Sequence, residues 1–187
     1  YFAPFYQHWG EPLQASVPLL DRAIELGLSG MNPLSTGYCV LLRAVNRFIY
    51  GVPLDELELE AERALRVLQR SLQPSTEAML RNGVLQPLRA LRGRSVEPLS
   101  FDSPEFSPSA YFKGDERTPG IPLAFYSAAW LRHAYLFGAG EPWRRHAPNV
   151  PMIGTVLPDS PTYVEACFYE ALGLLREGFA EPQDGAL

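Results

Sequence analysis

The sequence predicts an all-α fold of stacked antiparallel helical hairpins, arranged as an α-solenoid of degenerate repeats. Apolar residues recur at helical spacing along most of the 187 residues, and no stretch shows the strict alternation of a half-buried strand. Short connections join the periodic stretches, which favours antiparallel neighbours. A hydrophobic content of 47% is sufficient for one core. We therefore expect a single helical-repeat domain over residues 1–178 and a frayed tail over residues 179–187.

The clearest helical hairpin lies in the first half of the chain. Apolar residues of its first helix recur at i, i+3, i+4 and i+7: Tyr38, Leu41, Leu42, Val45, Phe48 and Ile49. Gly51 can end this helix in the left-handed conformation, and Pro53 cannot continue it. The second helix repeats the period with Leu57, Ala61, Ala64, Leu65, Leu68 and Leu72. Glu58, Glu62 and Arg66 are expected to face solvent, with Glu62 and Arg66 paired across one turn.

Further helices are predicted on both sides of this hairpin. One ends at Gly30; another begins at Ser75, whose hydroxyl can cap it, and bends or splits at Pro87. A long helix begins at Pro122, and the last helix has Ser160 as its N-cap. Three prolines predict an extended or turn-like connection before the last helix: Pro148, Pro151 and Pro158.

Proline, serine and charged residues interrupt the helical pattern over residues 93–120. This segment is either a functional loop or a decayed repeat, and we expect a surface excursion in place of a second helix. Five of its apolar side chains are expected to cover the neighbouring helices: Leu99, Phe101, Phe106, Tyr111 and Phe112. Its charged residues are expected to stay solvated: Glu105, Asp115, Glu116 and Arg117.

Composition and motifs exclude several classes of function. A net charge of -5, with Lys113 as the only lysine, argues against a nucleic-acid partner. No apolar run is long enough for a membrane span, and without a signal peptide a cytoplasmic location is expected. There is no phosphate-binding loop and no nucleophile–base motif, so we expect neither catalysis nor a cofactor, and the isolated chain should not hydrolyse ATP.

Metal binding and a disulfide are also disfavoured. The histidines, His8, His133 and His146, are too few and too scattered for a metal site. Cys39 and Cys167 fall within apolar helical patterns, where free cysteines behave as small buried hydrophobes. A disulfide between them is the alternative.

Aromatic and arginine residues supply the candidate binding surface. The aromatic candidates either line a groove for a peptide or small ligand, or simply pack between helices: Trp9, Tyr38, Trp130, Tyr135 and Trp143. Arg43 and Arg47, one turn apart, either clamp an acidic partner or form a solvated face.

A series of sequence blocks resembles a known family. The blocks are FYQHWGEPL, YCVLLRAVNRFIYGVPLDELELEAERAL, LRNGVLQPLRALRG, FDSPEF and FYSAAWLRHAYLFGAGEPWRRHA. They are similar to the helical-repeat segment of large bacterial signal-transduction ATPases. In that family the segment resembles tetratricopeptide repeats and lies downstream of an ATPase module. A protein kinase often precedes it, and GAF, histidine-kinase or diguanylate-cyclase modules often follow.

The repeats of this chain depart from the regular tetratricopeptide pattern. That pattern has a small residue five positions after the turn glycine, where this chain has Glu56 and Trp143. The departures argue against a standard peptide groove and leave the stacked-hairpin expectation intact.

The resemblance implies a non-catalytic interaction and regulatory module in a longer signalling protein. Its partner would be another protein or a neighbouring domain of the same chain. The alternative is a small-ligand sensor with an aromatic pocket between helical hairpins. A third hypothesis, an all-α enzyme, would take its acidic residues from the 93–120 segment.

Overall fold

A computed structural model describes residues 7–30, 32–112 and 120–180 of the chain. The described residues contain no strand, so the all-α prediction is confirmed. In chain order the helices are α1 (Ser16–Ser29), α2 (Pro33–Tyr50), α3 (Leu54–Arg70), α4 (Pro74–Leu80), α5 (Gln86–Leu91), α6 (Pro108–Tyr111), α7 (Ile121–Leu136), α8 (Gly140–His146), α9 (Val150–Val156) and α10 (Pro161–Ala180). Short 3₁₀ turns lie at Gln7–Trp9, Leu13–Ala15 and Ala147–Asn149. None of these helices combines the length and apolarity that crossing a membrane requires.

Helices α2 and α3 form the predicted hairpin. The Asn32 side chain caps α2 by accepting from the Ser35 amide, and Gly51 ends it with a φ of 89°. Helix α3 ends earlier than the apolar period predicts. It stops at Arg70, and Leu72 takes a left-handed φ of 52° and is 87% exposed, so its assignment to the core was wrong.

The core of the hairpin largely follows the predicted stripes. The buried residues of the two predicted stripes are Leu41, Leu42, Val45, Phe48, Leu57, Ala61 and Leu68. Tyr38 and Leu65 are only half-buried. Glu58, expected on the solvent face of α3, is instead 4% exposed and bonded to arginines that follow α4 in the chain. Glu62 pairs with Arg89 rather than with Arg66.

A π-helical turn, Arg81–Leu85, joins α4 to α5. Pro87 follows this turn and has no amide hydrogen to donate, so the wider turn accommodates the break that the sequence predicted. Helix α4 begins at Pro74, one residue before the expected cap Ser75. The Gly83 backbone lies so close to Phe125 of α7 that an added Cβ would sit 2.8 Å from the phenylalanine Cβ.

Helix α7 lies at the centre of the molecule. Every residue from Leu123 to Ala134 is buried, which is typical of a helix covered on all sides. It contacts α4, the π turn and α5, and also α8, α9 and α10. Helix α10 packs back against α2 as well. Because repeats of a solenoid contact only their neighbours, the predicted solenoid arrangement is not confirmed: α4, α5, α8, α9 and α10 all pack around α7.

The C-terminal third differs from prediction before its last helix. Residues Val150–Val156 form helix α9 instead of an extended connection, because Pro151 lies in its first turn, where a missing amide hydrogen is tolerated. The Ser160 hydroxyl accepts from the Tyr163 amide at 3.1 Å, as expected of the cap of α10. Helix α10 continues to Ala180, and residues 181–187, most of the predicted tail at 179–187, lie outside the described part.

The segment after α5 packs against α7 through two aromatic side chains. Phe101 and Phe112 are 2% and 5% exposed, whereas Leu99 and Tyr111 remain exposed. Phe106 is half-buried beneath the Arg81 guanidinium. The prediction that aromatics of this segment cover the helices is therefore confirmed for the two buried rings.

Polar side chains order the turn of this segment. Asp102 accepts hydrogen bonds from the Ser107 hydroxyl and from both the amide and the hydroxyl of Ser109. Burial opposes ionisation of Asp102, but these bonds outweigh it and lower its pKa. Glu105 is exposed as expected, yet it bonds Arg89 at 3.1 Å. The other three charged residues of that prediction lie outside the described residues: Asp115, Glu116 and Arg117.

Candidate functional site

The predicted site residues do not converge on one surface. Arg43 and Arg47 lie between α1, α2 and α3, whereas Trp130 belongs to a buried aromatic cluster on α7. Tyr135 and Trp143 meet at the contact of α7, α8 and α10, and Tyr38 is half-buried against the main core. Trp9 lies in the first 3₁₀ turn, Gln7–Trp9, and is 65% exposed.

Arg43 and Arg47 are neutralised within the fold. Arg43 bonds Asp21 at 2.5 Å and Glu60 at 3.1 Å. Arg47 bonds Glu60 at 2.7 Å and Glu56 at 2.5 Å. Burial disfavours the charged Arg43 side chain, but the bonds to Asp21 and Glu60 outweigh it and raise its pKa. The pair therefore links α1 to α3 across α2, and its charge is not available to clamp an acidic partner.

Trp130 is packed between other rings. Phe101 stacks on it at 4.3 Å between ring centroids, and His146 lies parallel to it at 5.7 Å. Tyr126 meets Trp130 edge to face at 6.3 Å. The Trp130 Nε1 atom is buried and has no hydrogen-bond partner among the described residues. The cluster fixes the 99–112 segment on α7, which is the packing role that the sequence left open for this tryptophan.

A pocket of about 230 Å³ opens beside this aromatic cluster. Its walls combine rings of the cluster with charged residues of α8 and the 99–109 segment. The charged residues are Asp102, Glu141 and Arg145. Arg145 bonds Glu141 at 2.9 Å, and Asp102 is bonded by two serines, so these charges already have partners.

His146 is held neutral by its surroundings. Burial lowers its pKa to about 3, and Arg145 adds to this effect. Its Nδ1 lies 3.3 Å from the Ser127 hydroxyl. Neutral imidazole therefore fits the cluster, and the charged form does not.

We expect this histidine to make the fold acid-sensitive. Its folded pKa of about 3 lies below the ordinary 6.5, so its contribution to stability is complete above pH 6.5 and is lost as pH falls toward 3. Between pH 7 and pH 5 this amounts to a loss of about 2 kcal/mol. Urea unfolding of the natural protein and of His146→Gln at both pH values measures the effect. The natural protein should lose about 2 kcal/mol more than the variant, and equal losses would contradict the assignment.

Trp143 and Tyr135 hold α10 against α7 and α8. Trp143 Nε1 donates to the Tyr169 carbonyl at 3.2 Å. The Arg176 guanidinium lies 4.3 Å from the Tyr135 ring centroid and donates to the Tyr135 carbonyl at 2.8 Å. The opening between them is only about 20 Å³, so these residues form a packed helix contact rather than a ligand site.

A groove of about 460 Å³ lies where the N-terminal turns meet α2 and α10. Its lining is mostly apolar: Pro12, Leu13, Ile49, Pro161, Val164 and Phe168. His8 and Tyr169 also line it, and Trp9 contacts the His8 ring at 5.1 Å between centroids. Both His8 ring nitrogens are buried without a hydrogen-bond partner among the described residues. Burial lowers the His8 pKa, and Asp159 opposes this effect.

A buried ion pair between Arg132 and Glu165 lies at the wall of this groove. Arg132 of α7 bonds Glu165 at 2.7 Å, and its guanidinium lies 3.7 Å from the Phe48 ring centroid. Helices α2, α7 and α10 therefore meet at one fixed point, which holds the groove-facing side of α10 in place.

The outer face of α10 is apolar but exposed. Val164, Phe168 and Leu175 follow the apolar period of this helix, yet they are 46%, 56% and 57% exposed. These residues are spaced i, i+4 and i+11 and share a face with the exposed Ala171. When a helix has apolar residues on two sides, its sequence does not indicate which side packs against the core.

The remaining candidate chemistry is sparse. No group of three His, Cys, Asp or Glu residues suited to a metal ion occurs in ranges 7–30, 32–112 and 120–180. Cys39 and Cys167 are both free thiols and half-buried. Comparison of the chain with protein-family models finds no matching family, and comparisons with curated proteins and with solved structures find no similar protein.

Proposed function

We propose that this chain is a non-catalytic helical interaction and regulatory module of a bacterial signal-transduction protein. The observation that carries the proposal is the exposed apolar face of α10, formed by Val164, Phe168, Ala171 and Leu175. We call these four residues the α10 face. It continues into the groove that contains His8 and ends near the exposed Trp9.

An amphipathic helix is the occupant that fits the α10 face. Its residues follow the i, i+4, i+7, i+11 spacing of a helix–helix seam and cover about three turns. A partner helix would bury apolar side chains there as one helix lies in the groove of another. The groove has acidic neighbours. Glu11 lines it, and Asp159 interacts electrostatically with His8. A partner with basic residues beside its apolar stripe would complement this charge.

The proposal is tested with a synthetic peptide of about four helical turns, with leucines at that spacing and flanking lysines. Fluorescence anisotropy of the labelled peptide measures binding to the natural chain and to Val164→Ser/Phe168→Ser. We expect at least about a 10-fold weaker affinity for the variant, because it loses most of the apolar contact. Leu19→Ser/Leu26→Ser is the matched control, because Leu19 and Leu26 of α1 are 47% and 53% exposed.

Two outcomes would contradict the proposal. One is the absence of binding, or an equal loss of affinity in the α1 control. The other is self-association of the natural chain in sedimentation experiments that Phe168→Ser abolishes, since the α10 face would then be a contact between two copies.

A small-ligand sensor remains the second candidate and has less support. Its pocket would be the 230 Å³ opening beside Trp130, below the roughly 300 Å³ at which ligand pockets begin. The Trp130 ring is already stacked between Phe101 and His146, so its faces are not available to a planar ligand.

A further inference from the structure

The arginines of the described residues divide into those with a carboxylate, carbonyl or aromatic partner and those without one. Most arginines of the described residues lie within 4.0 Å of a carboxylate, for example Arg22 of α1 and Arg145 of α8. Arg176 bonds a carbonyl and stacks on a tyrosine instead. Within residues 7–30, 32–112 and 120–180, three arginines have neither kind of partner. They are Arg63, Arg66 and Arg70, all exposed and all on α3.

These three arginines share one face of α3. Their i, i+3, i+7 spacing places them on adjacent turns, about 10 Å apart from first to last along the helix axis. Leu59, one turn before Arg63, lies on the same face and is 48% exposed. We call Leu59, Arg63, Arg66 and Arg70 the α3 ridge. Arg63 also lines a surface pocket of about 320 Å³ between α1 and α3.

The two acidic residues of α3 within one turn of Arg63, Glu60 and Glu62, are bonded to other elements and do not neutralise the ridge. Glu60 bonds Arg43 and Arg47 of α2, and Glu62 bonds Arg89 of α5. The helix dipole accounts for a basic residue in the last turn, such as Arg70. That effect fades beyond the last turn and does not explain Arg63, seven residues earlier.

We propose that the α3 ridge binds an acidic amphipathic helix of a protein partner. Carboxylates at i, i+3 and i+7 of such a helix would meet the three guanidiniums, which bind carboxylates in paired hydrogen bonds. A leucine at its end would meet Leu59. Nucleic acid fits less well, because three contacts on a chain of net charge -5 give little phosphate affinity. An anionic membrane needs a cluster of about four to eight basic residues. The ridge is separate from the α10 face, so either proposal can fail alone.

The experiment uses a labelled synthetic helix of about four turns that carries glutamates at the i, i+3, i+7 positions and leucines beside them. Anisotropy measures its binding to the natural chain and to Arg63→Gln/Arg66→Gln/Arg70→Gln. The matched control is Arg22→Gln/Arg144→Gln/Arg145→Gln, which removes the same charge from exposed arginines that already bond carboxylates. Circular dichroism checks that both variants remain helical.

We expect the ridge variant to bind at least about 10-fold more weakly than the natural chain, and the control to bind within about threefold of it. Raising salt from about 0.05 M to about 0.5 M should weaken binding to the natural chain. Equal losses in both variants would show that net charge alone acts and would overturn the proposal. Tighter ridge-dependent binding of single-stranded DNA or of phosphatidylserine vesicles would overturn it in favour of that ligand.

Discussion

Replacing Glu58 with alanine is expected to lower the free energy of unfolding by about 3 to 5 kcal/mol. The Glu58 side chain is 6% exposed and accepts from Arg89 at 3.3 Å, from Arg94 at 2.9 Å and from Arg92. It is the shared acid of three guanidiniums that belong to α5 and to the segment after it. Removing it leaves partly buried positive charges close together without their common partner.

Glu62→Ala is the matched control for this prediction. Glu62 lies one turn further along α3 and bonds the same Arg89 at 3.2 Å, but its side chain is 36% exposed. Water can replace that bond, so we expect a cost below about 1 kcal/mol. Urea unfolding of both variants at neutral pH gives the comparison. If Glu58→Ala costs no more than Glu62→Ala, the arginines do not depend on Glu58 and the assigned role is wrong.

Local signals predicted much of the helical framework. Gly51 has the positive φ that a helix-ending glycine can adopt, and the Ser160 hydroxyl caps α10 as expected. Pro87 coincides with a break in regular α-helix. These features depend on residues close in sequence, so local sequence patterns predict them.

Features that depend on distant residues were missed. The helical pattern predicts Glu58 as a solvent-facing residue. Its buried carboxylate is instead neutralised by arginines that lie 31 or more positions later in the chain. The all-round burial of α7 is set by helices that precede it in the chain, α4 and α5, and by helices that follow it, α8, α9 and α10. The lengths of the connections carry no information about these distant contacts, so the packing around α7 could not be predicted from them.

The prediction of binding arginines failed for the same reason, because ion pairs depend on residues distant in sequence. Helix patterns do not indicate which arginines have acidic partners. They favoured Arg43 and Arg47, whose charges are neutralised within the fold. The unpaired arginines lie on α3, where Arg66 was expected to pair with Glu62. Helix periodicity predicts the face on which a residue lies, but it does not predict which acidic residues form ion pairs with arginines of other helices.

Replacing Gly173 with valine is expected to destabilise the fold by about 3 kcal/mol, through the contact of α10 with α8. Gly173 is buried, and a Cβ there would lie 2.1 Å from Cε2 and Nε1 of Trp143. The indole cannot move aside without breaking its hydrogen bond to the Tyr169 carbonyl. Either the ring leaves its site or α10 lifts from α8.

Gly178 provides the control within the same helix. Nothing lies within 4 Å of a Cβ added there, so Gly178→Ala should stabilise the protein by about 0.5 to 1 kcal/mol through helix propensity. Gly173→Ala gains the same propensity but should still destabilise, because of the indole. Thermal unfolding of the two alanine variants should therefore shift the midpoint in opposite directions.

A double variant separates the steric clash from other effects of valine. In a Trp143→Leu background the side chain facing Gly173 is smaller, so Gly173→Val should cost at least about 1 kcal/mol less than it does alone. An equal cost in both backgrounds would mean that the indole is not what excludes a side chain at position 173. Relief in the double variant would instead identify the close contact of Gly173 with Trp143 as the reason that α10 can pack against α8 while its opposite face stays exposed.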